Sequence, residues 1–350
     1  MFLKLIKTGF ALGVIVLFLI LVWLAVGLNP PQKLPSERVF FDVEKGMGIS
    51  AVARALKEKG LIRARFPFVI SYHLFFYPQK IKAGEYAFSS PLRAKDILDM
   101  LIKGKVYLHA VTIPEGLTAQ EIAPLVFPLL SDGEDGYRAA FQNTEAISSL
   151  DQEAKNLEGY LFPETYSFPK GISSKEAAET MVAEFMSVFD ETQQSRARAL
   201  RMTVRKIVIL ASLIEKETSV PEEKRLVSAV FHNRLRSGMK LDCDPSIIYV
   251  LKQEGRYEGR LRKKDMSYDS PYNTYLHAGL PPGPICNPGK EALEAALYPA
   301  PENYFYFVSK NDGSHHFSRT FAEHQNAVGM YQKNNRRRKD GDGSPGEPSP

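Results

Sequence analysis

Apolar positions fall into three patterns along the chain. The first is a continuous run from Gly9 to Leu28 with no charged residue, preceded by Lys4 and Lys7. A helix needs ~20 such residues to cross a bilayer core, and lysines ahead of the run favour a cytoplasmic N-terminus. Ala25-Val26-Gly27 is a tolerable cleavage site, so a signal peptide is the alternative. A signal's apolar region is usually ~7–15 residues, which favours a retained anchor. Both readings place the rest of the chain outside the cytoplasm. The expected layout is therefore a cytoplasmic stub over 1–8, a transmembrane helix over 9–28 and a stiff Pro-rich linker over 29–37.

The second pattern is a small module over 38–106. Val39–Val43 is a predicted strand, and Gly46 and Gly48 form a turn. Ile49–Lys59 has helical spacing (Val52, Ala53, Leu56) closed by Gly60, and a second helix is predicted over Phe66–Phe76. Ile81–Phe88 returns as a strand, and Ala94–Ile102 is a short helix ending at Gly104.

A longer mixed pattern fills 107–334. A strand over Val106–Ile113 leads to Thr118 and Glu121, the spacing of a capping box. Ser131–Glu153 is polar, with the character of a helical insertion, and an aromatic loop crosses 157–166. Helices are predicted over Ser174–Gln194, Met202–Glu217 and Pro221–Arg236, the last opened by Ser219, Pro221 and Glu222. The remainder is rich in Pro, Gly, Tyr and Asn, with a late strand at Tyr304–Val308. The fold class is α+β: a transmembrane helix, a small module and a larger mixed domain.

One polar position breaks this pattern. On the helix Met202–Glu217, Val204, Val208, Ala211 and Glu215 share a face, while Glu217 points nearly the opposite way. A carboxyl inside an apolar stripe is costly when ionised; desolvation then favours its protonated form. That is what a general acid needs to protonate a glycosidic oxygen. A structural ion pair, or a helix-end Glu turned to solvent, explains the same spacing.

Composition and charge narrow the picture. The formal net charge of +5 is mild, and much of it sits in Arg336-Arg337-Arg338-Lys339. The Gly/Pro/Ser/Asp tail that follows has nothing to bury, so 335–350 are expected to be disordered. Nothing marks a nucleic-acid binder. Two cysteines cannot form a disulfide framework, and the seven histidines lack metalloenzyme spacing, so neither metal nor cofactor is expected.

The stretches LEGYLFPETY (157–166), ASLIEKET (211–218), VFHNRLRSGMKLDCDPSIIY (230–249), SPYNTY (270–275), GLPPGPICNPG (279–289) and YFYFVSKNDGSHHF (304–317) together resemble the endolytic murein transglycosylases, the MltG/YceG-like family. The resemblance implies a LysM-like, glycan-binding module over 38–106 and a lyase domain over 107–334. That domain would cut the β-1,4 bond between N-acetylmuramic acid and N-acetylglucosamine within peptidoglycan strands, leaving 1,6-anhydromuramyl ends. The family's catalytic glutamate maps onto Glu215. Glu164, Tyr166, Glu217, Asn233, Asp244, Tyr249, Tyr272, Asn273, Tyr275 and His315 lie in the same motifs and are candidate substrate-binding residues. The implied location is the inner (plasma) membrane with the body outside, and the suggested partners are peptidoglycan synthases and the division or elongation machinery. Cys243 and Cys286 fall in two motif stretches and would pair if those loops meet in an oxidising compartment. A non-catalytic peptidoglycan scaffold, a hydrolysing muramidase and a pyridoxal-phosphate lyase are the competing readings; export argues against the last.

Overall fold

The computed structural model of the chain describes residues 2–31, 33–34 and 36–333, with side chains from Thr8 onward. The side chains of Lys4 and Lys7, linker residues Gln32 and Pro35, the Arg336–Lys339 run and the tail over 335–350 lie outside the described residues. The chain forms two compact units, residues 1–110 with 167–172, and residues 111–166 with 173–350.

The first unit begins with α1 (Phe2–Leu28). Within it, Thr8–Leu28 has mean hydropathy 3.0 and is long and apolar enough to cross a membrane. β1 (Val39–Val43) follows, then α2 (Ile49–Glu58), α3 (Arg65–Phe75), β2 (Gly84–Phe88), α4 (Ala94–Lys103) and β3 (Leu108–Thr112). β1 and β2 are antiparallel, with Val39 opposite Phe88 and Phe41 opposite Tyr86. The alternation along β1 turns Phe41 and Val43 inward, against Val52 and Leu56 of α2, Phe68 of α3 and Ile97 of α4. Gly104 ends α4 in the left-handed region at φ 71°, which a glycine adopts without a Cβ penalty. The linker is not a free spacer: Leu34 is buried in this core, and the Pro30 carbonyl accepts a hydrogen bond from Arg63 Nε at 2.7 Å.

The second unit is mainly helical. It contains α5 (Ala119–Val126), α6 (Gly133–Gln142), β4 (Thr165–Pro169), α7 (Ser174–Val188), α8 (Glu191–Ala199), α9 (Val204–Glu217), α10 (Pro221–Arg236), α11 (Asp244–Gln253), α12 (Lys290–Leu297), β5 (Tyr306–Ser309), β6 (His315–Ser318) and α13 (Phe321–Val328). β3 pairs with β4, and β5 with β6; the chain passes between the units within β3 and β4. At the start of α5 the expected capping box is present in both directions, Thr118 accepting from Glu121 N and Glu121 from Thr118 N.

Two sequence expectations are corrected here. The helix over Ser174–Gln194 is two helices. Phe189 is fully buried and leaves the helical region (φ −100°, ψ 61°). Asp190 then caps a new start by accepting from Thr192 N at 2.6 Å. At α10 the cap is not Ser219: Val220 holds the cap position without a side-chain bond, and Thr218 Oγ1 accepts from Val220 N at 3.1 Å. Pro221 starts the helix as expected.

Candidate active site

α9 runs through the core of the second unit, with every residue from Ile207 to Ile214 inside. Thr203 caps its start, accepting from Lys206 N at 3.2 Å. Its last turn carries Glu215, whose side chain is only 9% exposed. The carboxyl is not alone on its apolar stripe. Oε2 accepts the backbone N–H of Gly289 at 3.1 Å and lies 3.5 Å from Lys224 Nζ. Gly289 is the N-cap of α12, so Glu215 is tied to the start of that helix.

Lys224 organises the cluster. Its side chain is 5% exposed, and its ammonium also reaches Glu115 Oε2 at 3.8 Å and Glu291 Oε2 at 3.5 Å. Three carboxyls thus surround one cation. Burial, and then repulsion from Glu215, push the Glu115 carboxyl above the usual carboxylate range, while Lys224 pulls it back. Glu115 packs against the Gly289 backbone so closely that a Cβ there would fall 1.9 Å from Glu115 Oε1, so a larger residue at 289 would displace the Glu115 carboxyl. Lys224 and Glu291 also line a cleft of about 410 Å³, shared with Pro221, Arg225, Glu294 and Tyr298. Lys224→Met leaves three carboxyls facing one another without a cation. The expected loss is roughly 2 kcal/mol in a denaturant midpoint. That is below the ~3–5 kcal/mol of a fully buried pair, because Glu115 and Glu291 are about half exposed.

Asn287 holds these loops in register. Its Oδ1 accepts from Gly159 N and Leu161 N, both at 2.9 Å, and its Nδ2 donates to Leu117 O at 2.9 Å and Glu158 Oε1 at 3.1 Å. Its backbone carbonyl accepts from Gly116 N at 2.9 Å. One side chain therefore joins the Pro114–Thr118 turn, the aromatic loop and the segment entering α12. Glu158 is itself buried, accepting from Ala119 N at 3.0 Å and from Tyr249 OH at 3.5 Å. Desolvation pushes its carboxyl up to about 8.

The candidate substrate residues do not converge on Glu215. Glu217 faces away, towards the Cys243 thiol, Asp244 and Arg234; burial raises its carboxyl to about 7. Asp244 accepts from Tyr275 OH. Tyr249 and Tyr272 pack with ring centroids 5.3 Å apart, and Tyr272 lines a separate cleft of about 340 Å³ with Glu158 and Arg205. Asn233 donates to the carbonyls of Glu302 and Tyr304, and Asn273 to those of Met266 and Tyr268. Tyr166 OH donates to Phe162 O at 2.6 Å. These three side chains are buried and hold loops together. His315 Nδ1 lies 2.7 Å from Glu223 Oε2, which ties β6 to α10. Glu164 is exposed, and its Oε1 accepts from Thr165 N at 2.8 Å.

Cys243 and Cys286 are free thiols, both fully buried. Each has its own partner, which corrects the expected pairing: Cys243 bonds the Glu217 carboxyl, and Cys286 Sγ donates to Ser212 O at 3.4 Å. The sequence alone does not mark Lys224, Glu115, Asn287 and Gly289 as site residues. Asn287 and Gly289 lie within a quoted motif, but the helix periodicity that exposes Glu215 carries no signal for partners on other segments.

A buried carboxyl on a helix end, held by a helix N-terminus and by an ammonium that itself lines a cleft, is the kind of centre that performs acid–base chemistry. The chain belongs to the YceG-like family, whose model matches residues 41–330. It is similar to a Bacillus subtilis (strain 168) protein named endolytic murein transglycosylase, 31% identical over 321 residues covering 87% of this chain and 88% of that protein. A Streptococcus pneumoniae (serotype 2, strain D39) protein of the same name is 28% identical, over 86% of this chain and 60% of the relative. Among solved structures, a putative yceG-like protein from Listeria monocytogenes superposes with TM-score 0.57 at 30% identity, covering 83% of this chain and 98% of that one.

Proposed function

We propose that this protein is a membrane-anchored endolytic lytic transglycosylase of peptidoglycan, with Glu215 as its acid and then its base. The observation that carries the reading is the placement of Glu215, buried on α9 and fixed by Lys224 and the Gly289 N–H. The names of the relatives supply the substrate class.

In this reading Glu215 gives its proton to the leaving oxygen of the β-1,4 bond. The resulting carboxylate then takes the proton of the C6 hydroxyl on the same muramyl residue as that oxygen closes onto C1. The proton lost in the first step returns in the second, and no water is consumed. A nucleophile tethered within the substrate takes the place of a second protein group through proximity. Tyr249, Tyr272, Tyr275 and Asp244, which lie away from Glu215, are candidates for contacts with more distant sugars of the strand, and the substrate's own acetamide is the candidate support for the oxocarbenium-like charge. The first unit's strand–helix–helix–strand order, with β1 and β2 antiparallel, supports a LysM-like, glycan-binding role. The apolar run of α1 supports a single-pass anchor with the body outside, among nascent strands.

Glu115 favours one specific competitor. Ordinary glycoside hydrolysis uses two carboxyl groups, and Glu115 shares Lys224 with Glu215. Digesting purified sacculi with the full-length protein in detergent separates the readings. Soluble fragments with anhydromuramyl ends are expected. Reducing muramic acid ends would establish the hydrolase instead, and no release at all would leave a scaffold.

A further inference from the structure

We propose that α3 lies in the membrane interface, with its exposed apolar face seated among the headgroups of the bilayer that α1 crosses. The inference rests on the reading of α1 as a membrane anchor. The two helices meet where the apolar run ends. Gly27 is pressed against α3 so tightly that a Cβ there would lie 2.5 Å from Pro67 Cγ, and Leu28 packs on the core of the first unit. Arg63 Nε, bonded to the Pro30 carbonyl, fastens the chain after α1 to the start of α3. Wherever α1 leaves the bilayer, α3 is beside that point.

The surface of α3 suits this position. Pro67, Phe68, Ser71 and Tyr72 are buried against the unit. Phe66, Ile70 and Leu74 recur every fourth residue on another face, extended by Phe75 and Tyr77. Phe66, Leu74, Phe75 and Tyr77 are between 61% and 70% exposed. Contiguous large apolar and aromatic side chains in water mark a binding surface. Laid flat, they are what an interfacial helix buries, and aromatic rings concentrate at the headgroup level.

Charge points to the same occupant. No Asp or Glu occurs between Leu61 and Gly84, whereas Arg63, Arg65, Lys80 and Lys82 border the apolar residues. Arg65 stacks over the Phe66 ring at 5.0 Å. Cations beside an apolar stripe complement anionic lipid headgroups. The first unit would then hold to the bilayer at two places, α1 and α3, and its height above the membrane would be fixed.

The test uses tryptophan fluorescence of the full-length protein in liposomes of phosphatidylcholine and phosphatidylglycerol containing brominated lipids, which quench an indole in contact with them. The chain has one tryptophan, Trp23, within α1. It serves as the control for the anchor. In a Trp23→Phe, Leu74→Trp protein the indole is expected to be quenched most strongly by lipids brominated near the headgroup, with emission shifted to the blue. Water-like, unquenched emission from Leu74→Trp while Trp23 is quenched overturns the proposal and leaves the anchor standing. Blue-shifted emission without quenching also overturns it, because a protein surface then covers the helix. If Trp23 is unquenched as well, the anchor reading itself has failed.

Discussion

Glu215→Gln is expected to keep the fold and lose activity by at least the ~10²–10⁴-fold that general acid–base catalysis contributes. The substitution keeps the side chain's size and its acceptor for Gly289 N–H, and removes the proton that leaves and returns. Lys224 loses one of three carboxyl partners and retains Glu115 and Glu291, so little structural cost is expected. Unfolding curves of the two proteins should therefore nearly coincide, while release of fragments from sacculi differs by orders of magnitude. A variant with most of its activity would remove Glu215 from the chemistry.

The second large effect concerns stability. Glu158 has an ordinary carboxylate value of 4.5 that rises to about 8 in the folded chain, because burial strips water from it. The folded state then binds this proton more tightly than the unfolded state. Its contribution to stability is fully present below about pH 4.5 and is lost as the pH rises through about 8. Each unit of difference corresponds to about 1.4 kcal/mol, so the loss amounts to several kcal/mol. Glu217, raised to about 7, acts in the same direction. Glu158→Gln imitates the protonated form, keeping an acceptor for Ala119 N and Asn287 Nδ2 and a donor towards Tyr249. Urea unfolding should show the variant close to the parent at pH 5 and more stable by several kcal/mol near pH 8.5. A parent whose stability does not fall across that range would show that the Glu158 proton is not held by burial.

The sequence exposes the elements whose pattern is local. Val39–Val43, Pro221–Arg236 and the Thr118–Glu121 box depend on neighbours within a few residues, and their physics is written in the spacing. The early end of α7 depends on Phe189 finding the core, which is a tertiary event. α11 and α12 start at Asp244-Pro245 and Gly289, inside segments whose Pro, Gly and aromatic content reads as loop. Glu215 was legible because a carboxyl on an apolar face is visible on a single helix. Its partners were not, because they stand on other segments: Lys224 is 9 positions away on the next helix and Gly289 is 74 positions away. Asn233 and Asn273 show the converse. Polar residues in a motif suggest contacts with sugars, yet both amides satisfy backbone carbonyls that the loops would otherwise bury unpaired.

The second carboxyl at Lys224 makes the fate of water the decisive question, since one carboxyl with a tethered hydroxyl needs none and two carboxyls can activate it. The most direct measurement is digestion of purified glycan strands in water enriched in the heavy oxygen isotope, with mass spectra of the released fragments. The account predicts anhydromuramyl ends, lighter than the hydrolytic product by one water and carrying no solvent oxygen. Reducing ends that carry the heavy isotope would contradict it and identify a muramidase.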